Sequence, residues 1–328
     1  MILRNLPASF ALATLLGGIA MPALADSLRI GWQQIVEPSR IPQADGTYET
    51  ATGADVEWHL FGGGADVIAA IAAGSIDIGY VGSSPLTAAA SQDLPIETIY
   101  IVGNIAEAEA LAVKDIDTPE DLKGRKIATP FVSTAHYSLL TALDHWGIAP
   151  TEVNLLNLRP QEIAAAWERG DIDGAYIWDP VLNQIKASGG TVLADSADVA
   201  EWGGPTFDAW IVRKDYAEEH PEIVTAFVRV TGEAADAYLA DPSAWDETSE
   251  QAGKIAELTG APASDVPALL KGYAFAGLEE QTSDAFLGSA SAEAIRATAN
   301  FLQDQGSATA KDDYSAFVNP GFAEAALK

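Results

Sequence analysis

Short apolar runs rich in β-branched residues alternate along this chain with Ala-rich stretches whose apolar positions recur every three to four residues. The first pattern is that of buried strands, the second that of helices packed on them. The order is written twice. LRIGW (28–32), VEWHLF (56–61) and the run after GSID (74–77) return as KIATP (126–130), VNLLNL (153–158) and the run after GDID (170–173). AAIAAGSIDIGYVGSSPL (69–86) aligns without a gap on AAWERGDIDGAYIWDPVL (165–182), at an offset of 96. In both copies a glycine, Gly74 or Gly170, closes the helical period, as a left-handed helix stop does.

Each copy predicts strand–helix–strand–helix–strand, and so a mostly parallel sheet flanked by helices with right-handed crossovers. The expected fold class is α/β, in two lobes. EALAVK (109–114) and FDAWIVRK (207–214) are extended, apolar and end on a basic residue; they are the expected hinge strands. This places residues 26–112 and 212–328 in the first lobe and 113–211 in the second, the architecture of a protein that closes about a hinge. Asp77 and Asp173 stand at strand beginnings, away from the strand C-termini where ligands gather, and read as turn-capping structural residues.

The first 25 residues fall outside this alternation. Arg4, an apolar run from Phe10 to Ala20, and MPALA before Asp26 read as a secretory leader cleaved after Ala25. The apolar run is too short to span a bilayer. The chain has no cysteine, which removes disulfides, a lipid-modified Cys, a thiol nucleophile and Cys-held metals. Against 18 Lys and Arg stand 47 Asp and Glu, a net charge of −29; phosphate backbones and anionic membranes would repel such a surface. The expectation is an exported, periplasmic, monomeric protein that binds no nucleic acid and holds no cofactor or metal.

The strand ends carry the candidate chemistry. In the first copy they lead into QQIVEP (33–38), GGGAD (62–66) and GSSPL (82–86), and in the second into PFVSTAHY (130–137), LRPQE (158–162) and IWDPV (177–181). Ser83 or Ser84 is expected to cap a helix that Pro85 starts. Ser133 and Thr134 stand just before a helix that stops at Gly147. A helix start offers free N–H groups and about half a positive charge to an anion. One such start per lobe predicts an anion held between two. Ser133 and His136 also invite a secreted Ser/His hydrolase as a distant alternative. No Gly-x-Ser-x-Gly elbow, His-Glu-x-x-His or phosphate loop occurs, and no third carboxylate falls at a triad spacing; the chain is expected to have no catalytic residues and not to be an enzyme.

EPxxxxQAD (37–45), STAHYSLL (133–140) and GGPTFDAWIVRKD (203–215), together with GSSPL, DLKGRKIATPF (121–131) and GDIDGAY (170–176), resemble the sulfonate/nitrate-type periplasmic substrate-binding proteins of ABC importers. The first three are more specific to the taurine-binding branch; GDIDGAY and DLKGRKIA are shared more widely and support the fold alone. The resemblance runs over about 28–320 and implies a type II periplasmic binding protein. It also implies an aminosulfonate ligand, taurine or otherwise another alkanesulfonate, delivered to an inner-membrane permease and its ATPase. Asp179 in IWDP departs from the family, where a small apolar residue is expected.

For such a ligand, a permanent anion needs neutral donors in a dry pocket. Ser83, Ser84, Thr134 and His136, with the amide of Gln33 and the two helix starts, are the expected sulfonate donors. The ammonium end needs carboxylates or an aromatic face. Asp208, which breaks the apolar run TFDAW, is the first choice. Trp178 is expected over the ammonium or the ethylene carbons, and Glu37 and Glu109 are further acids. Tyr137 is expected on the cleft wall, and Trp32 and Trp210 in the core.

Overall fold

The computed structural model describes residues 26–306 and 308–328; the expected leader, 1–25, lies outside them. In chain order the strands are β1 (Ser27–Trp32), β2 (Asp55–Leu60), β3 (Ile78–Gly82), β4 (Ile96–Ile105), β5 (Glu109–Val113), β6 (Lys126–Thr129), β7 (Asn154–Asn157), β8 (Gly174–Trp178), β9 (Thr191–Asp195), β10 (Phe207–Arg213) and β11 (Tyr273–Phe275). They form two sheets, β11–β4–β10–β3–β1–β2 and β7–β6–β8–β5–β9.

Read from one edge, β2–β1–β3–β10–β4 and β7–β6–β8–β5–β9 are a single topology used twice. The first three strands of each are parallel. The fourth, β10 or β5, runs against both of its neighbours. The repeat in the sequence is thus a repeat of strand order. Each sheet is mixed, with most strands sharing one direction.

The two expected hinge strands lie elsewhere than between the lobes. β5 pairs along its length with β8 and β9 in the second sheet, and β10 with β3 and β4 in the first. The chain crosses between the sheets just ahead of each, at 106–108 and 202–206. A strand buried on both faces reads as an unbroken apolar run, which is also how an apolar linking strand reads. The second crossing is tied to the end of β4, where the first begins, the Ile105 N–H donating to the Thr206 carbonyl at 3.0 Å.

Asp77 accepts the backbone N–H of Arg29 at 2.9 Å and its guanidinium at 2.6 and 3.0 Å. Asp173 accepts the N–H of Lys126 at 2.8 Å. Both therefore staple the first strand of a copy to the third, at the ends remote from the strand C-termini. Gly74 and Gly170 close their helices at φ +67° and +72°. Trp210 is fully buried and Trp32 nearly so. After β10 the long helix Pro221–Ala240 packs back on the first lobe, against the helices Thr47–Thr52 and Gly321–Ala326. Among the described residues no helix is long and apolar enough to cross a membrane, and no His/Cys/Asp/Glu group is arranged to hold a metal.

Val132 has φ +58° and is 47% exposed. A β-branched residue is strained in that left-handed region. Val132→Gly is expected to stabilise the protein by about 1 kcal/mol, strain relief outweighing the extra freedom of glycine in the unfolded chain; urea denaturation measures it.

Candidate functional site

A small cavity lies between the lobes. Gln33 and Ile35 line it from the loop after β1, Gly64, Gly82 and Pro85 from the loops after β2 and β3, and Ser133 and Thr134 from the loop after β6. Trp178 closes it from the end of β8, with Ile105, Tyr273, Glu109 and Asp208 on the crossing side.

The two acids occupy equivalent places. Asp208, near the start of β10, lies opposite Gly82 of β3. Glu109, at the start of β5, lies opposite Trp178 of β8. Gly82 and Trp178 are themselves matching positions of the repeat. Asp208 Oδ2 accepts from the hydroxyls of Tyr80 at 3.0 Å and Tyr273 at 3.1 Å. Glu109 accepts from Thr134 at 2.5 Å, Ser196 at 2.8 Å and Ser138 at 3.3 Å. Burial pushes both carboxyls up to about 7, and for Asp208 the nearby Glu109 charge adds to the shift. No lysine or arginine lines this cavity among the described residues.

A carboxyl with a raised folded-state pKa keeps a proton that the unfolded chain has already released, so stability falls as pH rises. Glu109, Asp208 and the buried Asp179, all raised to about 7, are therefore expected to destabilise the ligand-free protein progressively between about pH 4 and pH 7. Denaturation across that range checks it. A cationic ligand group favours the ionised forms, so its affinity is expected to rise over the same interval, measurable by calorimetry.

Two helix starts reach the cavity. The helix Ser83–Ser91 begins after Gly82, two residues ahead of Pro85, and no side chain caps it. The expected serine cap is absent because Ser83 and Ser84 are already helical, with Gly82 extended at the cap. Ser83 Oγ accepts instead from the Phe207 N–H at 3.4 Å. Ser84 Oγ is buried without a partner in the protein. The helix Thr134–His145 is capped by Ser133, whose hydroxyl accepts the His136 N–H at 3.1 Å and donates to the Pro130 carbonyl at 2.5 Å. The first-turn N–H groups of both helices have no intrahelical acceptor.

Several expected donors and acids have other partners. The hydroxyl of Thr134 donates to Glu109, leaving Thr134 its backbone N–H for an anion. Gln33 donates its amide to the Tyr80 carbonyl at 3.0 Å. His136 stacks on Phe131 at 4.4 Å, and its Nδ1 accepts from the Val132 N–H at 3.4 Å; burial lowers its pKa to about 4. It lies outside the cavity lining. The Ser133 hydroxyl has its partners in the Pro130 carbonyl and the His136 backbone N–H, and among the described residues no hydrogen bond joins it to the His136 ring. Glu37 folds back onto its own loop, accepting from Ser39 at 2.5 and 2.8 Å and pairing with Arg40 at 2.6 Å. Asp179 accepts the Asn183 N–H at 3.0 Å and holds the next helix start. Tyr137 packs edge-on against Phe301 at 4.9 Å, away from the cavity.

At the cleft mouth the lobes meet through Arg159 and Asp66 at 3.3 Å, and through Gln161 and Gln34 at 3.0 Å. Sequence reasoning missed Tyr273 and Ile105, which line the cavity, and Tyr80, which holds Asp208 from behind it. Tyr273 stands 65 residues beyond the carboxylate it holds, a separation that no local pattern spans.

A family model described as the substrate binding domain of an ABC-type glycine betaine transport system matches residues 26–254. The chain is 46% identical over 308 residues to the taurine-binding periplasmic protein of Escherichia coli (strain K12), covering 93% of this chain and 95% of that one. Its fold matches the alkanesulfonate-binding protein SsuA of Xanthomonas axonopodis pv. citri bound to MOPS, with a TM-score of 0.74 at 22% identity over 93% of this chain and 98% of that one. It also matches the periplasmic aliphatic sulphonate binding protein SsuA of Escherichia coli, with a TM-score of 0.70 at 22% identity over 91% and 99%.

Proposed function

Because the chain belongs to the ABC-type substrate-binding family whose model it matches, we propose that it is a monomeric periplasmic receptor, not an enzyme, which captures taurine between its lobes and delivers it to an inner-membrane permease and ATPase. In this reading the leader is removed after Ala25 on export.

The observation that carries the reading is the polarity of one cavity. Asp208 and Glu109 face it from the crossing side, and two helix starts face it from the strand ends. Taurine has a matching pair of ends, an ammonium and a sulfonate two carbons apart. Asp208 and Glu109 accept the ammonium, while Trp178 and Tyr273 cover the ethylene carbons. The N–H groups of the helix starts at Ser83 and Thr134, with the unpartnered hydroxyl of Ser84 beside them, take the sulfonate. Binding at micromolar Kd requires about 8 kcal/mol, and hydrogen bonds to charged groups contribute about 1.5–3 kcal/mol each. Five or six of them suffice after the cost of ordering.

An alkanesulfonate without an amine would bury two carboxyls with no cation to meet them. A quaternary ammonium has no N–H to give them and favours an aromatic cage. A thermal-shift screen with taurine, ethanesulfonate, glycine betaine, nitrate and amino acids tests the reading. Taurine is expected to give the largest shift; an equal or larger shift with ethanesulfonate or glycine betaine would refute it.

A further inference from the structure

A guanidinium stands behind the ligand cavity without touching it. Arg40 has no solvent exposure, which is rare for arginine. Its Cζ lies 5.2 Å from the ring centroid of Trp32, 5.6 Å from that of Tyr80 and 5.8 Å from that of Trp210. It pairs with the buried Glu37 at 2.6 Å, donates from Nε to the Ile35 carbonyl at 3.3 Å, and donates from Nη1 to Gln43. A buried ion pair is weak support for stability, since apolar residues of similar volume often replace one without loss. The pair therefore calls for another role.

Two of its contacts lead to the cavity. Tyr80, one wall of the aromatic box and edge-on to Trp210 at 5.1 Å, donates its hydroxyl to Asp208, and its carbonyl accepts from the Gln33 amide. Ile35, whose carbonyl Arg40 holds, lines the cavity beside Gln33.

We propose that Arg40, held by Glu37, is a positioning residue of the ligand site: it fixes the Tyr80 ring and the 33–37 loop, and through Tyr80 the carboxylate that receives the ligand's ammonium. This rests on the taurine reading above. It also gives Glu37 a role at one remove from the ligand, in place of the direct contact expected from the sequence.

The test compares the affinities of the full chain for taurine and for ethanesulfonate, by calorimetry and competition, in the wild type and in Asp208→Asn, Tyr80→Phe and the double variant Glu37→Met/Arg40→Met. The double variant is expected to fold, to lose at least tenfold in taurine affinity and to change less than twofold toward ethanesulfonate. Tyr80→Phe added to it is expected to cost nothing further, because the two act along one path. Taurine affinity within twofold of wild type in the double variant would overturn the proposal, as would an equal loss for both ligands. If the double variant does not fold, Arg40→Lys decides. It keeps the charge but not the forked contacts, so a selective loss for taurine supports the proposal and unchanged affinity overturns it. Taurine binding unaltered in Asp208→Asn would overturn the ammonium reading and this proposal together; a loss there, with none in the Arg40 variants, overturns this proposal alone.

Discussion

Asp208→Asn is expected to weaken taurine binding by about a hundredfold, within a span of about thirtyfold to five-thousandfold. The substitution keeps the shape and removes the charge. The hydroxyls of Tyr80 and Tyr273 both donate to Oδ2, so they hold the amide with its carbonyl toward them. Its NH2 group then faces the cavity, where the ammonium needs an acceptor. Leaving one member of a buried charged pair unmatched costs about 2–5 kcal/mol. The ligand-free protein is expected to move the other way, because the wild-type carboxyl is buried without a cation and its pKa is raised to about 7. Asparagine removes that burden, so the variant should denature later than wild type at pH 8 in the absence of ligand. Calorimetry and denaturation of the same preparation read both. Weaker binding together with lower ligand-free stability would indicate general damage and not a lost ammonium acceptor.

The second large effect is expected from adding one methyl group. A Cβ at Gly82 would stand 2.6 Å from Thr134 Cγ2 of the opposite lobe and 3.3 Å from Asp208 Oδ1. The φ of Gly82 is −77°, an angle any residue adopts, so Gly82→Ala introduces no backbone strain and acts through space alone. The contact with Thr134 exists only when the lobes meet, whereas the one with Asp208, its neighbour in the first sheet, is looser and persists when they part. Overpacking of this kind costs about 1–3 kcal/mol, and most of it falls on the closed form. Taurine affinity is expected to drop by about ten- to a hundredfold while ligand-free stability stays within about 0.5 kcal/mol of wild type. Small-angle scattering with saturating taurine should show incomplete compaction. Full compaction with native affinity would mean that Thr134 yields without cost.

Much of the architecture was legible because it was written twice. The repeat centred on GSID and GDID predicted both parallel halves, and Gly74, Gly147 and Gly170 end helices where the pattern placed them. That Asp208 belongs to the cavity lining was legible from a lone charge in an apolar strand. Glu37 carried a signal of the same kind and misled, since a buried acid beside a proline turn looks the same whether its partner is a ligand or an arginine three residues on. The sites of crossing were not legible either. β5 and β10 are buried apolar strands, and nothing in such a run says which sheet will claim it. Hydroxyl roles lay beyond the sequence for a related reason. Thr134 was readable as a residue at a helix start, but its partner, Glu109, arrives from another strand. Tyr273 belongs to a three-residue strand whose place in the first sheet follows from the fold alone.

The crossings at 106–108 and 202–206 give the two ends of the site different mechanics. Rotation of one lobe against the other moves each atom by an arc proportional to its distance from the pivot. Glu109 follows one crossing at once, and Asp208 comes two residues after the other. Both acids therefore travel little as the lobes part, whereas the rim carrying Arg159 and Asp66 swings widest. If taurine occupies the cavity as proposed, its seat therefore lies where opening disturbs it least, and the rim is the last part of the cleft to close.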